Sequence, residues 1–464
     1  MLMPSRASLQ GSGDAMHALI RDLFPICRSI TGDGFRDSLR CLSKIAPIVQ
    51  NEVPSGTRVF DWTVPKEWNI RDAWIADASG RRWVDFRESN LHVVNYSVPV
   101  RARMSLADLR HRLHALPDQP DLIPYRTTYY AEDWGFCLSQ RVLDQLPDGE
   151  YDVCIDSTLV PGHLTYGVCV LPGTIPDEIL ISVHSCHPSL ANDNLSGMAV
   201  AAFLARHLAK QPRRHTFRFL FIPGTIGSIA WLALHESEVR KVRHGLVLSC
   251  LGDAGPLTYK RSRRGTAAID RATAHVLRDQ GAGALRDFTP YGYDERQYCS
   301  PGFNLPVGCL TRTPNGEFPE YHTSADNLDF VRAESLEDSL RKVLEIIEIL
   351  EHDNAYVNLN PKCEPQLGRR GLYDSKGGKA PPELQMAMLW VLNLSDGSHR
   401  LVDIAQRAAL PFGTIRDAAN ALRRAGLLGL AQESEYENSA GGVLAPLTPF
   451  LSQLTASESW RTGA

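Results

Sequence analysis

The stretch Glu178-Ile-Leu-Ile-Ser-Val-His-Ser-Cys-His-Pro-Ser-Leu-Ala-Asn-Asp-Asn-Leu-Ser-Gly197 decides how the rest of the chain is read. Its first six residues form an apolar run that reads as a buried strand and breaks off into His184 and His187. Asp193 comes nine and six residues after those histidines, and Ser-Gly and the apolar run Met198 to Leu208 follow it. Strand, polar turn and helix place any ligands here at the carboxyl end of a parallel strand, the crevice where open α/β sheets bind them. Imidazole plus carboxylate suits a catalytic zinc with an open position. The same residues also read as hydrogen-bonded loop histidines with Asp193 capping the next helix.

A chain of 464 residues should hold two or three domains, because a single core rarely grows past roughly 250–300 residues. Hydrophobic content of 43% with 22% charged residues is that of a globular protein. A formal net charge of −4 gives no overall attraction to nucleic acid or an anionic membrane. No apolar run reaches membrane-span length, and the N-terminus lacks the pattern of a signal peptide. Ten scattered cysteines with no C-x-x-C pair point to reduced thiols and a cytoplasmic location. Cys186, between the two histidines, reads as a buried small hydrophobe.

Residues 14–50 carry helical apolar spacing through Met16, Leu19, Ile20 and Leu23, and again through Leu39, Leu42, Ile45 and Ile48. From about Thr57 the period changes to short β-branched and aromatic runs bounded by Pro, Gly and Asp. From Glu178 strands are expected at 178–184, 216–222, 245–251 and 305–310, alternating with helices at 194–210, 226–238, 268–280 and 334–352. Such alternation predicts a mainly parallel sheet flanked by helices. A Pro- and Gly-rich stretch and three short amphipathic helices follow, with Gly426-Leu-Leu-Gly429 and the hydrophobic tail as a wing. The expected organisation is N-terminal helices at 1–56, an inserted β domain at 57–165, an α/β domain at 166–357, a linker at 358–382 and a winged helix-turn-helix at 383–464.

Four further segments end probable strands in ligand-competent residues: Ile222-Pro-Gly-Thr-Ile-Gly-Ser228, Leu248-Ser-Cys-Leu-Gly-Asp253, Tyr293-Asp-Glu through Leu305-Pro306, and Glu320-Tyr-His-Thr-Ser-Ala-Asp-Asn-Leu-Asp329. With Asn192-Asp193-Asn194-Leu-Ser196-Gly197, their order resembles the zinc aminopeptidase superfamily over residues 178–350. The whole layout is similar to bacterial aminopeptidase-like proteins with an inserted β domain and a C-terminal winged helix, often classed with polysaccharide biosynthesis. Arg126-Thr-Thr-Tyr-Tyr-Ala-Glu-Asp-Trp-Gly-Phe-Cys137 and Ser262-Arg-Arg-Gly265 also look like signatures of that group.

The resemblance implies a zinc site drawn from His184, His187, Asp193, Asp253 and His322. His187 is favoured over His184 as the first histidine ligand. The strand-end aspartate falls nearest Asp253, although strict register places it on Ser249. Where the superfamily has Glu-Glu, this chain has Gly224-Thr225, so the usual base and a ligand of the second zinc are missing. One zinc held by His187, Asp193 and His322 is then expected rather than two. Glu295 is the first choice as general base, with a salt bridge to Arg296 or Arg264 as its alternative role. Tyr321 is a candidate oxyanion donor. Asp294, Glu320 and Arg264 are candidates for binding substrate.

The expected function is a zinc-dependent aminopeptidase-like hydrolase acting on a peptide or small amide. The alternatives are a deacylase or amidohydrolase working on a small metabolite such as an amino sugar, and a degenerate protein that binds a metal or ligand without turnover. In the winged helix, Arg407, Arg416, Arg423 and Arg424 are offset by Asp403, Asp417, Glu433, Glu435 and Glu437. That balance speaks against nucleic acid and for docking or a homo-oligomer formed through this module.

Overall fold

The computed structural model of the chain describes residues 9–278, 283–372 and 382–431. The chain divides into two compact units after Asp353. The first unit opens with helices α1 (Ser12–Leu23) and α2 (Asp33–Ser43). The helical pattern expected to run to residue 50 stops there. Pro47 cannot continue a helix, and β1 (Val49–Pro54) joins the large sheet as an edge strand instead.

Between β1 and its sheet neighbour β6 (His163–Leu171) the chain builds a separate antiparallel sheet. It comprises β2 (Glu67–Asp77), β3 (Arg82–Asp85), β4 (Val100–Ser105) and β5 (Glu150–Val160), in the order β3-β2-β5-β4. Alternating inward residues such as Ala73, Ile75, Val153 and Ile155 cover its core with Phe136 and Leu138. Residues His163 to Thr165, read as part of the insert, belong to β6 and so to the large sheet.

The large sheet continues through β7 (Glu178–His184), helix α3 (Gly197–Leu208), β8 (Thr216–Ile222), α4 (Ile226–Leu234) and β9 (Val242–Leu248). It is completed by β10 (Leu257–Lys260), α5 (Ala268–Arg278), β11 (Gly283–Arg286), β12 (Val307–Thr311) and α6 (Ala333–His352). The strand order is β1-β6-β8-β7-β9-β12-β10-β11, and β8, β7, β9 and β12 are mutually parallel. This is the expected α/β class: a mainly parallel centre between helices, with antiparallel neighbours toward both edges. All seven residues of β7 are buried, which is why its sequence shows no alternation. Its one charged residue, Glu178, accepts two hydrogen bonds from Arg218, at 2.7 and 2.8 Å.

The second unit has helices α7 (Pro382–Leu394), α8 (Leu401–Ala408) and α9 (Phe412–Arg424). A three-stranded sheet of β13 (Ala355–Asn358), β14 (Asp396–Arg400) and β15 (Leu428–Leu430) accompanies them. Tyr356 to Asn358 pair with Leu430 to Leu428, so a segment assigned to the α/β domain supplies the strand against which the wing closes. The hydrophobic tail expected to extend the wing lies outside the described residues.

Candidate metal centre

His184 is the last residue of β7, and the turn after it, together with the distant segment around His322, brings three imidazoles onto one carboxylate. Asp193 is fully buried. Its Oδ1 lies 2.8 Å from His184 Nε2, and its Oδ2 lies 3.2 Å from His187 Nδ1 and 3.0 Å from His322 Nε2. His184, His187 and Asp193 have donor atoms within 4.8 Å of one another, close enough to share an ion. Burial works against a charged His187, but the Asp193 carboxylate outweighs it and holds that imidazole well above its usual pKa. At His184 burial prevails, and the ring is held below its usual value. Asp193 therefore caps no helix; its carboxylate is spent on imidazoles.

The motif around Asp193 stitches the ends of β7 and β9 together. Asn194 Nδ2 donates to the carbonyls of Leu248 (3.0 Å) and His184 (3.2 Å), while its Oδ1 accepts from Gly197 N and Cys250 N, both at 3.2 Å. That bonding fixes which end of the amide faces His184 Nδ1, 3.3 Å from Nδ2. Nδ1 of His184 then accepts, Nε2 keeps the ring proton, and His184 donates to Asp193. Ser196 Oγ donates to Asn192 O (2.6 Å) and accepts from Leu251 N (2.8 Å). Position 197 has to be glycine, because a Cβ there would stand 2.3 Å from Asn194 Oδ1 and 2.7 Å from Leu248 O.

Asp253 lies apart from the imidazoles. Its carboxylate accepts from Asn192 Nδ2 (3.0 Å), Gly255 N (2.7 Å), Thr313 N (3.2 Å) and Thr313 Oγ1 (2.8 Å), which makes it a loop clamp rather than a ligand. Ser249, the residue in strict register, brings a hydroxyl and no carboxylate. Glu295 is buried and paired with Lys260 Nζ at 2.5 Å, a partner other than Arg296 or Arg264, and it accepts from Tyr293 N. Arg264 is tied to the main chain of Asn304 (2.9 Å). Glu320 forms the turn before His322, its carbonyl accepting from Thr323 N and Oγ1. Tyr321 stacks on the His322 ring with centroids 4.0 Å apart, and burial pushes its phenol well above its usual pKa.

Four residues with no role in the sequence reading complete the surroundings. Asp326 takes the main-chain N–H of Asn192 (2.6 Å) and of Asp193 (2.9 Å) on its two oxygens. Arg28, fully buried, donates to the His187 carbonyl at 3.1 Å. The Tyr125 ring stands 5.1 Å from both His187 and His322. Tyr293 donates its N–H to Glu295 and puts its hydroxyl 3.0 Å from His187 Nε2. Asp326 and Tyr293 sit inside motifs already singled out, so proximity in sequence was the available signal. Nothing local marks Arg28 or Tyr125.

Asp294 is also buried. One oxygen accepts from Ser228 Oγ (2.7 Å), and the other has no hydrogen-bond partner among the described residues. Burial pushes its pKa up from 3.8 to about 7, with the Ser228 hydroxyl pulling the other way. The folded chain thus binds this proton more tightly than the unfolded chain does. The stabilisation is full below pH 3.8 and is lost as pH rises through about 7. Asp294→Asn is expected to gain on the wild type between those limits, by at most about 4 kcal/mol at pH 8. Melting temperatures of both proteins from pH 4 to pH 9 check this; a gap that does not open with pH refutes it.

The donor set matches zinc chemistry: imidazole nitrogens and a carboxylate oxygen meet, with no thiolate among them. Cys186 Sγ instead lies 4.0 Å from Gly224 O and 3.9 Å from Tyr293 Oη.

Comparison with known proteins shows the family and the fold. Residues 17–353 match a family described as a domain of unknown function, DUF4910, and residues 354–429 match a winged helix-turn-helix family. A Clostridium acetobutylicum protein is 49% identical over 421 residues, covering 90% of this chain and 97% of the relative. Its name assigns it an aminopeptidase-like domain and, provisionally, polysaccharide biosynthesis. A crystal structure from the same organism, provisionally a peptidase, superposes with a TM-score of 0.87 at 48% identity, covering 91% of this chain and 98% of that one. A zinc aminopeptidase from Bacillus subtilis shares the fold, with a TM-score of 0.56 at 13% identity over 75% of this chain and 96% of that one.

Proposed function

Since this chain belongs to the DUF4910 family, here joined to a winged helix-turn-helix, and has the fold of the zinc aminopeptidases, we propose that it is a single-zinc hydrolase of aminopeptidase type. It would cleave the amide bond of a peptide or aminoacyl compound. The convergence of three imidazoles on Asp193 at the end of β7 carries this proposal.

His187, Asp193 and His322 are the ligands in this view. His184 is set aside because Asn194 leaves the proton on its Nε2, which holds Asp193 in place. Zinc bound there supplies Lewis-acid polarisation of a carbonyl oxygen and activates water for attack. The side chain of His322 keeps 34% of its surface exposed and marks the approach for substrate, while the Tyr125 ring packs against both His187 and His322. A second ion is not proposed, because Gly224, Thr225 and Ser249 bring no carboxylate to the strand ends.

One observation favours a second function, metal or ligand binding without turnover. Glu295, the expected base, has its oxygens occupied by Lys260 and the Tyr293 N–H. Metal content and hydrolysis of an aminoacyl-anilide panel separate the two. Hydrolase function predicts about one zinc per chain and turnover, both lost in His322→Ala. Metal without turnover on peptides or acylated amines supports the binding protein, and no metal in protein purified without chelators overturns both.

The winged helix is proposed as a docking or dimerisation module rather than a nucleic-acid reader. Arg416 is paired with Asp417 at 2.8 Å, and Arg423 lies over the Tyr356 ring. No helix among the described residues is long and apolar enough to cross a membrane.

A further inference from the structure

Gly224 leaves room for an aromatic ring. A Cβ at that position would stand 1.9 Å from Tyr293 Cε1 and 2.7 Å from Cζ, so any larger residue at 224 displaces the ring. The ring lies against His184, with centroids 3.9 Å apart at 38°, and its hydroxyl reaches His187 Nε2 at 3.0 Å. Buried Glu295 and half-buried Lys260 fix the main chain that carries it, with buried Asp294 next in sequence. Glu295 takes the Tyr293 N–H, Lys260 pairs with Glu295 while donating to Tyr291 O at 2.6 Å, and Asp294 is bonded to Ser228. Glu295, which the sequence nominated for catalysis, thus anchors the residue that carries the phenol.

The need for that phenol follows from the tautomer of His187. Its Nδ1 faces Asp193 Oδ2 and the Asp193 main-chain carbonyl, each at 3.2 Å. To give a metal the Nδ1 lone pair, the ring must carry its proton on Nε2, and a buried N–H without an acceptor is costly. Among the described residues Tyr293 Oη stands 3.0 Å from Nε2, and a phenol oxygen can accept that proton. We propose that Tyr293 is the positioning residue of the metal centre. By accepting the Nε2 proton of His187 it selects the ligating tautomer, sets the ring plane and raises the basicity of Nδ1. The inference rests on the zinc site proposed above.

Zinc affinity, measured by competition with a chromophoric chelator, tests it. Tyr293→Phe keeps the ring and removes the acceptor, and its zinc Kd should rise about 10–100-fold. Gly224→Ala, which pushes the ring aside, should weaken zinc similarly, yet add nothing in a Tyr293→Ala background. A Tyr293→Phe Kd within about twofold of wild type overturns the inference, since partners of ligating histidines normally count for far more. A second readout needs no variant. In zinc-loaded wild type, proton–nitrogen NMR should show the His187 proton on Nε2 and slow to exchange; a proton on Nδ1 overturns the inference even if Tyr293→Phe fails to fold. Wild type that takes up no zinc overturns the single-zinc function as well, whereas zinc binding indifferent to Tyr293 removes only the positioning role.

Discussion

Asp193→Asn is expected to leave a folded protein that no longer takes up zinc. Asparagine keeps the shape of the side chain, and its oxygen still accepts the Nε2 proton of His184 that Asp193 Oδ1 accepts at 2.8 Å. The charge between His187 and His322 disappears, and with it the anionic ligand. Removing a mere partner of a ligand costs about 10–100-fold in metal affinity, so removing the ligand should cost at least about a hundredfold. Without Asp193, His187 loses the charge that keeps it protonated and sheds its proton, so the fold escapes most of the penalty of a broken buried pair. Zinc content by elemental analysis and an unchanged circular dichroism spectrum check this. A variant that retains zinc at wild-type affinity would remove Asp193 from the centre.

Asn194→Ala should produce the largest loss of stability. The substitution removes the side-chain partner of the carbonyls of His184 and Leu248 and of the Cys250 N–H, all in the buried seam between β7 and β9, while the Gly197 N–H keeps the main-chain carbonyl of residue 194. Each buried unsatisfied group costs about 1–3 kcal/mol, so the sum should reach on the order of 4 kcal/mol or more even after relaxation. A denaturant titration should show the midpoint falling with little change in slope. Zinc affinity should fall too, because the amide also fixes the His184 tautomer that holds Asp193. A loss under about 1 kcal/mol would mean that water replaces the amide.

The buried strand, the turn after it and the helix beyond were legible because each depends on local pattern. Seven apolar-dominated residues can be buried on both faces only at the centre of a parallel sheet. His187 and Asp193 stood out as candidates because they follow a strand end that faces the crevice, and His322 because its segment resembles a zinc aminopeptidase motif. The helix end near Ser43 was misread because apolar spacing continued past it to Ile48, whereas Pro47 and pairing with β6 prevailed. The partners of Asp253 and Glu295 were not legible, because an isolated carboxylate in sequence does not show its partner. Thr313 and Lys260 took them up, and neither is a sequence neighbour.

By itself, then, the sequence determined the α/β sheet, the strand that carries the site and the types of donor atom available there. Only the tertiary structure decided what each donor meets. His322 meets Asp193 across 129 residues, and Tyr293 meets His187 across 106. Whether a histidine ligates or holds, and whether a carboxylate is free or clamped, depends on which proton donor or acceptor stands within about 3 Å of it. Strand periodicity is set by neighbours along the chain, but those short distances are set by segments that meet only once the chain is folded.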